Sequence, residues 1–103
     1  MSNDNWQICV VDPDYEINMT YPFELRRRTK TRILIETIHD GYPYVHLNRK
    51  YMSKTKIVME QIAANNPIYQ FMVEHNAPPD LLKKYKNELY LNMINEIAES
   101  IED

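Results

Sequence analysis

Short runs that mix apolar, β-branched and polar residues fill the first half of the chain, and they predict β-strands. Residues 6–11 and 15–20 are the first two runs, and the turn signal at 12–14 separates them. Residues 31–38 are rich in β-branched side chains, and residues 42–47 follow as another strand candidate. We therefore expect a small antiparallel β-sheet of three to four strands.

The connection between the last two runs has the composition of a tight hairpin. Residues 39–41 contain the chain's one glycine, Gly41, which is free to adopt positive φ. Side chains of the strand that follows should alternate between two faces. One face carries Tyr42, Tyr44 and His46, and the other carries Val45 and Leu47.

The pattern becomes helical in the second half, where the first element has two possible starts. Ser53 can cap a helix, or the strand can continue to about Val58 before a helix runs to Ala64. We favour the second possibility. A short helix over residues 67–74 should follow, with Pro67 at its first position.

The clearest predicted helix spans residues 81–101, with Asp80 as its N-cap. Apolar residues recur there every three or four positions and form one stripe. They are Leu82, Tyr85, Leu89, Met93, Ile97 and Ile101. The stripe can pack on the sheet or join two copies in a homodimer. The predicted fold class is α+β, with a sheet-and-helix module over residues 1–66 and a helical extension over 67–103.

Charge is distributed unevenly along this chain, whose net charge is −3. Residues 24–57 hold nine of its twelve Lys and Arg residues but only three of its fifteen Asp and Glu residues. Such a local excess indicates a basic face that meets a polyanion, and nucleic acid is the foremost candidate. The alternative is a charged loop or strand face that only contacts solvent.

Several classes of protein do not fit the remaining composition. Cys9 is the single cysteine and has no partner for a disulfide within the chain, and no Cys/His set has zinc spacing. No run of residues has the character of a signal peptide or of a membrane span. We expect a cytoplasmic protein that needs no cofactor and does not contact a membrane.

A series of short motifs occurs in order over more than half of the chain. In chain order they are Trp6, Tyr15-Glu16-Ile17, Arg32-Ile33-Leu34, Asp40-Gly41-Tyr42, Val45, Leu47, Lys54-Thr55, Ile62-Ala63 and Asn66-Pro67. The ordered set resembles the DNA-binding module of phage HNH homing endonucleases, a nuclease-associated modular domain.

The resemblance implies a small sheet and helix that hold double-stranded DNA, with basic side chains on the phosphate backbone. The basic residues in the matching region are Arg26, Arg27, Arg28, Lys30, Arg32, Arg49, Lys50, Lys54 and Lys56. His46 and Asn48 have side chains with the chemistry to reach base edges.

The resemblance is incomplete where the nuclease half should follow. Glu74 and His75 occupy the region of the metal-binding turn, with Asn92 or Asn95 downstream, and such a set can in principle hold Mg²⁺ beside a phosphate. However, residues 76–80 lack a Gly-Asn turn, and a continuous helix follows them. We therefore expect the HNH catalytic half to be absent or degenerate.

The sequence thus predicts a non-catalytic, sequence-specific double-stranded DNA-binding protein encoded by a phage or mobile genetic element. It would act as a transcriptional repressor by covering a promoter, and a helix-mediated dimer would read two half-sites. One alternative is a small Mg²⁺-dependent HNH-type nuclease. Another is a phage-encoded inhibitor of a host protein. RNA binding through the tyrosines is a weaker variant of the first hypothesis.

Overall fold

A computed structural model describes residues 5–102, except for the side chain of Glu102, and confirms the α+β class. Its strands are β1 (Trp6–Ile8), β2 (Tyr15–Asn18), β3 (Leu25–Arg27), β4 (Thr37–His39), β5 (Tyr42–Leu47) and β6 (Lys50–Ser53). Its helices are α1 (Lys54–Asn65), α2 (Pro67–Glu74) and α3 (Pro79–Glu102). The chain forms two compact units, one ending at Ile57 and the other starting at Val58. The domain boundary at residue 66 stays a prediction.

The described strands form two antiparallel sheets of three strands each, ordered β1-β2-β3 and β4-β5-β6. The predicted strand over residues 31–38 is wrong in its first part, because β4 begins only at Thr37. Only its end belongs to β4, whereas Ile33 forms an isolated bridge with Arg26 and the Leu34 amide donates to Leu25 O at 2.8 Å. This segment runs beside β3 instead. The prediction failed because β-branched composition favours an extended backbone but does not specify which strand lies next to it.

The β4–β5 hairpin confirms its prediction. Asp40 and Gly41 both have positive φ, 53° and 83°, as a tight turn between twisted strands requires. Val45 is buried, whereas Tyr42 and His46 on the other face are exposed. The alternation read from the sequence is thus present in the folded strand.

Both sheets contribute to the core of the first unit. Its buried apolar side chains are Cys9, Tyr15, Ile17, Phe23, Leu25, Val45, Leu47 and Ile57. The hydroxyl of Tyr15 in β2 accepts a 2.7 Å hydrogen bond from the backbone amide of Asn48, which lies in the β5–β6 turn. This bond links the first sheet to the turn between the last two strands of the second.

Helix α1 begins at Lys54, so the predicted continuation of the strand to Val58 is wrong. Ser53 ends β6, and its hydroxyl accepts a hydrogen bond from the Lys56 amide at 3.4 Å. The alternative in which Ser53 caps a helix is therefore the correct one. Helix α2 starts at Pro67 as predicted, and Asn66 caps it by accepting from the Tyr69 amide at 2.8 Å.

The second unit contains α2, α3 and the later part of α1. Helix α3 starts at Pro79, which places Asp80 in the first turn and not at the predicted N-cap. Lys86 Nζ in α3 donates to Glu60 Oε2 in α1 at 2.7 Å. Partial burial lowers the pKa of Lys86, but the hydrogen bond and charge of Glu60 outweigh this, so that the pKa lies above its ordinary value.

The apolar stripe of α3 is half-buried over most of its length. Leu82, Tyr85, Leu89, Met93 and Ile97 are partly covered, and Ile101 is exposed. Other apolar side chains of this unit are also exposed, including Ile68, Phe71 and Leu91. None of the described helices has a stretch that is long and apolar enough to cross a lipid bilayer.

Candidate nucleic-acid interface

A cleft of about 520 Å³ opens in the first unit, between β3, the segment that follows it and β5. It is lined by Arg27, Lys30, Arg32, Ile33, Leu34, Ile35 and His46. Three of these residues are basic, and none of the described residues that line the cleft is acidic. We call this site the cationic cleft.

The chain reversal after β3 brings most of the lining together. The Lys30 amide donates to the carbonyl of Arg27 at 3.0 Å and turns the backbone at the end of the strand. The chain then returns beside β3 through the bridge at Ile33, which places Lys30 and Arg32 near Arg27. Ile35 is 75% exposed, so the cleft combines apolar surface with cationic side chains.

Arg27 is held in place by a hydrogen bond to Asn48 and by a cation–π contact with the Tyr15 ring. Its Nη2 donates to Asn48 Oδ1 at 2.9 Å, and its guanidinium lies 4.7 Å from the centroid of the Tyr15 ring. Among residues 5–102, Arg27 forms no ion pair. It therefore presents an immobilised positive charge that no carboxylate contacts directly.

Five other cations of the predicted interface have side chains that reach no partner within the described part of the chain. They are Lys30, Arg32, Arg49, Lys50 and Lys56, and all are exposed. Arg28 is also exposed and donates only a long bond, 3.3 Å, to the carbonyl of Pro13. Among the described residues these six side chains contact no carboxylate, so they can meet an external anion.

Two predicted phosphate ligands are already paired with carboxylates. Arg26 Nε contacts Glu16 Oε1 at 2.6 Å, and its guanidinium lies 3.8 Å from the Trp6 ring centroid. Lys54 is only 5% exposed and pairs with Glu36. Both partners belong to other strands or loops, so the sequence contained no signal for the pairing. The interface that we propose leaves these two cations out.

Asn48, which was predicted to reach base edges, has three side-chain contacts within the protein. Its Nδ2 donates to Asp12 Oδ2 at 2.8 Å and to Asp14 Oδ2 at 3.2 Å, while its Oδ1 accepts from Arg27. The amide thus sits between two carboxylates and a guanidinium. Its position makes Asn48 a positioning residue for Arg27.

A row of aromatic rings covers the face of β4-β5-β6 opposite Val45 and Leu47. Tyr44 and Tyr51 stack with centroids 5.2 Å apart and an interplanar angle of 10°. His39 meets Tyr44 edge-on at 5.8 Å, and His46 meets Tyr51 at 5.8 Å. Sequence reasoning missed Tyr51, although the two-residue β5–β6 turn places it directly opposite His46.

The residues assigned to a degenerate nuclease lie in the second unit. Glu74 ends α2, and His75 follows it with Nδ1 2.9 Å from the carbonyl of Phe71 and its ring stacked on the Phe71 ring. Asn92 and Asn95 are exposed on α3. Within residues 5–102, no group of three or more His, Cys, Asp or Glu side chains is placed to hold a metal ion.

No protein-family model, curated protein or solved structure matches the chain. The likeness to the homing-endonuclease module therefore rests on the sequence motifs alone. The case for a function depends on the geometry and charge of the cationic cleft.

Proposed function

We propose that this chain is a non-catalytic protein that binds double-stranded DNA through the cationic cleft and represses transcription by covering a promoter. The observation that carries the proposal is the cleft itself. Arg27, Lys30 and Arg32 line it without an acidic neighbour in the described lining, and Lys30 and Arg32 are exposed and form no ion pair with any residue from 5 to 102.

The cleft has two kinds of cation, and each suits a phosphate backbone in its own way. Arg27 is held by Asn48 and Tyr15, so little conformational entropy is lost when it meets a phosphate oxygen. Lys30 and Arg32 are exposed, and their charges can neutralise phosphates and release condensed counterions. Binding of this kind depends steeply on salt concentration.

The acidic remainder of the chain limits where DNA can approach. Residues 58–103 contain three Lys and Arg residues but eight Asp and Glu residues, so this part of the chain repels a polyanion. The positive charge needed for DNA binding is confined to the first unit. A protein with this distribution holds DNA on one surface and does not coat it.

The proposal is tested by measuring duplex affinity at several salt concentrations by fluorescence anisotropy. The double variant Lys30→Ala/Arg32→Ala removes two cations from the cleft. The matched control, Lys83→Ala/Lys84→Ala, removes two exposed cations from α3. Net charge changes equally in the two variants, so any difference in their DNA affinity results from where the removed cations lie.

We expect the cleft variant to bind more weakly and to reduce the slope of log Kd against log salt by up to about 2, at about 0.9 for each phosphate that is no longer neutralised. The control should retain the wild-type slope. Equal effects of the two variants, or no duplex binding by the wild type, would overturn the proposal. Repeating the titration with Mg²⁺ should leave the DNA uncut, and cleavage would favour the nuclease alternative.

A further inference from the structure

We infer that the DNA held at the cationic cleft includes an unpaired segment, and that its bases stack on the aromatic face of β4-β5-β6. This inference rests on the proposed function, because the cleft supplies the phosphate contacts beside the face. It specifies the kind of DNA that is bound, namely a duplex that is interrupted by unpaired nucleotides.

Strand register defines the composition of this face. Tyr42, Tyr44 and His46 alternate along β5, opposite His39 and Thr37 in β4 and opposite Tyr51 and Ser53 in β6. These seven strand residues include no aliphatic side chain and no carboxylate. A face of rings and hydroxyls without a carboxylate offers nucleobases surfaces for stacking and does not repel the phosphates attached to them.

Two of the tyrosines are accessible for stacking. Tyr42 is 62% exposed and contacts no other ring within residues 5–102. Tyr51 is 49% exposed at the other side of the sheet, stacked in parallel on Tyr44. Tyr42 offers an exposed ring on which a base can stack, and Tyr51 ends a stacked pair to which a base can be added.

The spacing of these rings fits separated bases. Alternate side chains on one face of a strand lie about 7 Å apart. This is about twice the 3.4 Å rise between stacked bases in a duplex. Bases that remain in a duplex cannot match that spacing, whereas unpaired bases can spread to leave room for a ring beside each one.

His46 connects the aromatic face to the cationic cleft, since it belongs to both. A strand whose phosphates contact Lys30 and Arg32 can therefore direct its bases over Tyr51 and Tyr44 and on to Tyr42, which lies further along the same face. The far end of the face is less suited to phosphate, because the negative charge of Asp40 lies there, with its Oδ2 3.7 Å from His39 Nε2. This asymmetry of charge orients the backbone at the cleft and the bases over the sheet.

The test compares two DNA molecules of equal length, a continuous duplex and the same duplex with a short internal bubble of unpaired thymidines. Both are titrated against the wild type, Tyr42→Leu, Tyr42→Trp and the control Phe71→Leu. Phe71 is a similarly exposed ring, 59%, in the second unit. Circular dichroism and the fluorescence of Trp6 verify that each variant is folded.

We expect the bubble to bind about fivefold or more tightly than the continuous duplex, in line with the contribution of one stacked base. Tyr42→Leu should reduce this gain without changing duplex affinity, since Tyr51 and Tyr44 remain as stacking surfaces, and Tyr42→Trp and Phe71→Leu should keep it in full. Equal affinity of the wild type for the two molecules would overturn the inference and leave duplex binding intact. A gain that Tyr42→Leu leaves unchanged would also overturn it.

The failure of the proposed function gives a different result. If the continuous duplex does not bind, or binds without dependence on Lys30 and Arg32, the proposal for the cleft is wrong. If a single strand then still binds and Tyr42→Leu weakens that binding, the aromatic face is supported as a base-stacking surface and only the duplex is excluded as its ligand.

Discussion

The side-chain amide of Asn48 donates a hydrogen bond of 2.8 Å to a carboxylate oxygen of Asp12, although the two residues are 36 positions apart. The same amide also reaches Asp14, and its oxygen accepts from Arg27. The backbone amide of Asn48 donates to the hydroxyl of Tyr15. One residue in the β5–β6 turn therefore links that turn to the first sheet and holds Arg27 beside the cationic cleft.

Replacement of Asn48 should separate what these hydrogen bonds contribute to the free energy of unfolding from what its backbone conformation contributes. Asn48 has φ 52°, a region that glycine tolerates and alanine does not. Asn48→Gly should lower the free energy of unfolding by about 1 kcal/mol, because its side-chain hydrogen bonds are removed. Asn48→Ala should cost roughly 1–2 kcal/mol more, through the strain of positive φ. Urea denaturation measures both variants, and equal stability of the two would contradict this account.

The ion pair between Arg26 and Glu16 should contribute to stability and not to DNA binding. Both side chains are mostly covered, at 25% and 20% exposed, and the guanidinium also contacts the Trp6 ring. A double-mutant cycle with Arg26→Gln and Glu16→Gln should give a coupling free energy of about 1 kcal/mol.

The DNA-binding part of this prediction has its own control. Arg26→Gln should leave the salt dependence of duplex binding close to that of the wild type, because Glu16 already neutralises the guanidinium. Lys30→Gln removes a cation that pairs with no carboxylate in residues 5–102, and it should reduce that slope by about 0.9. If both variants flatten the slope equally, Arg26 leaves Glu16 in order to contact phosphate.

Cys9 should make stability depend on pH in the alkaline range. Its side chain is fully buried, and burial raises the pKa of the thiol above its ordinary value. The unfolded chain therefore loses this proton at a lower pH than the folded chain does. Ionisation of the thiol should not change the free energy of unfolding below about pH 8. Above about pH 8.5 that free energy should fall as pH rises.

The comparison with Cys9→Ala isolates this effect from the titration of other groups. The difference in unfolding free energy between wild type and variant should be constant at neutral pH and should shrink as pH rises from about 8 to about 10. A thiol-reactive reagent should label the folded protein slowly and the protein in urea rapidly. Rapid labelling of the folded protein would show that Cys9 is accessible.

The half-buried stripe of α3 should not tolerate charge. Leu89→Asp with Met93→Asp places two carboxylates on the covered side of the helix, and the second unit should lose helicity or a dimer should dissociate. The control, Asn87→Asp with Asn92→Asp, adds the same charge at exposed positions of α3. Circular dichroism and sedimentation velocity distinguish the two outcomes, and a folded variant of unchanged mass would show that the stripe is not an interface.

Local sequence signals were sufficient for elements whose geometry depends on neighbouring residues. Asp40 and Gly41 specify a tight turn, and the alternation after them specifies which side of β5 is buried. Asn66 and Pro67 specify where α2 begins. The start of α1 was missed because Ser53 is compatible with both a strand end and a helix cap, and local pattern does not choose between them.

The sequence by itself determined the α+β class, the segregation of positive charge in residues 24–57 and the tyrosine-bearing face of β5, since each follows from composition and periodicity. Tertiary structure alone decided which cations remain free. Arg26 and Lys54 meet Glu16 and Glu36 only when distant parts of the chain fold together, while Lys30 and Arg32 do not meet a carboxylate among the described residues. Charge counts along a chain do not contain these distances, and ion pairing depends on them because Coulomb interactions in water act only at close range.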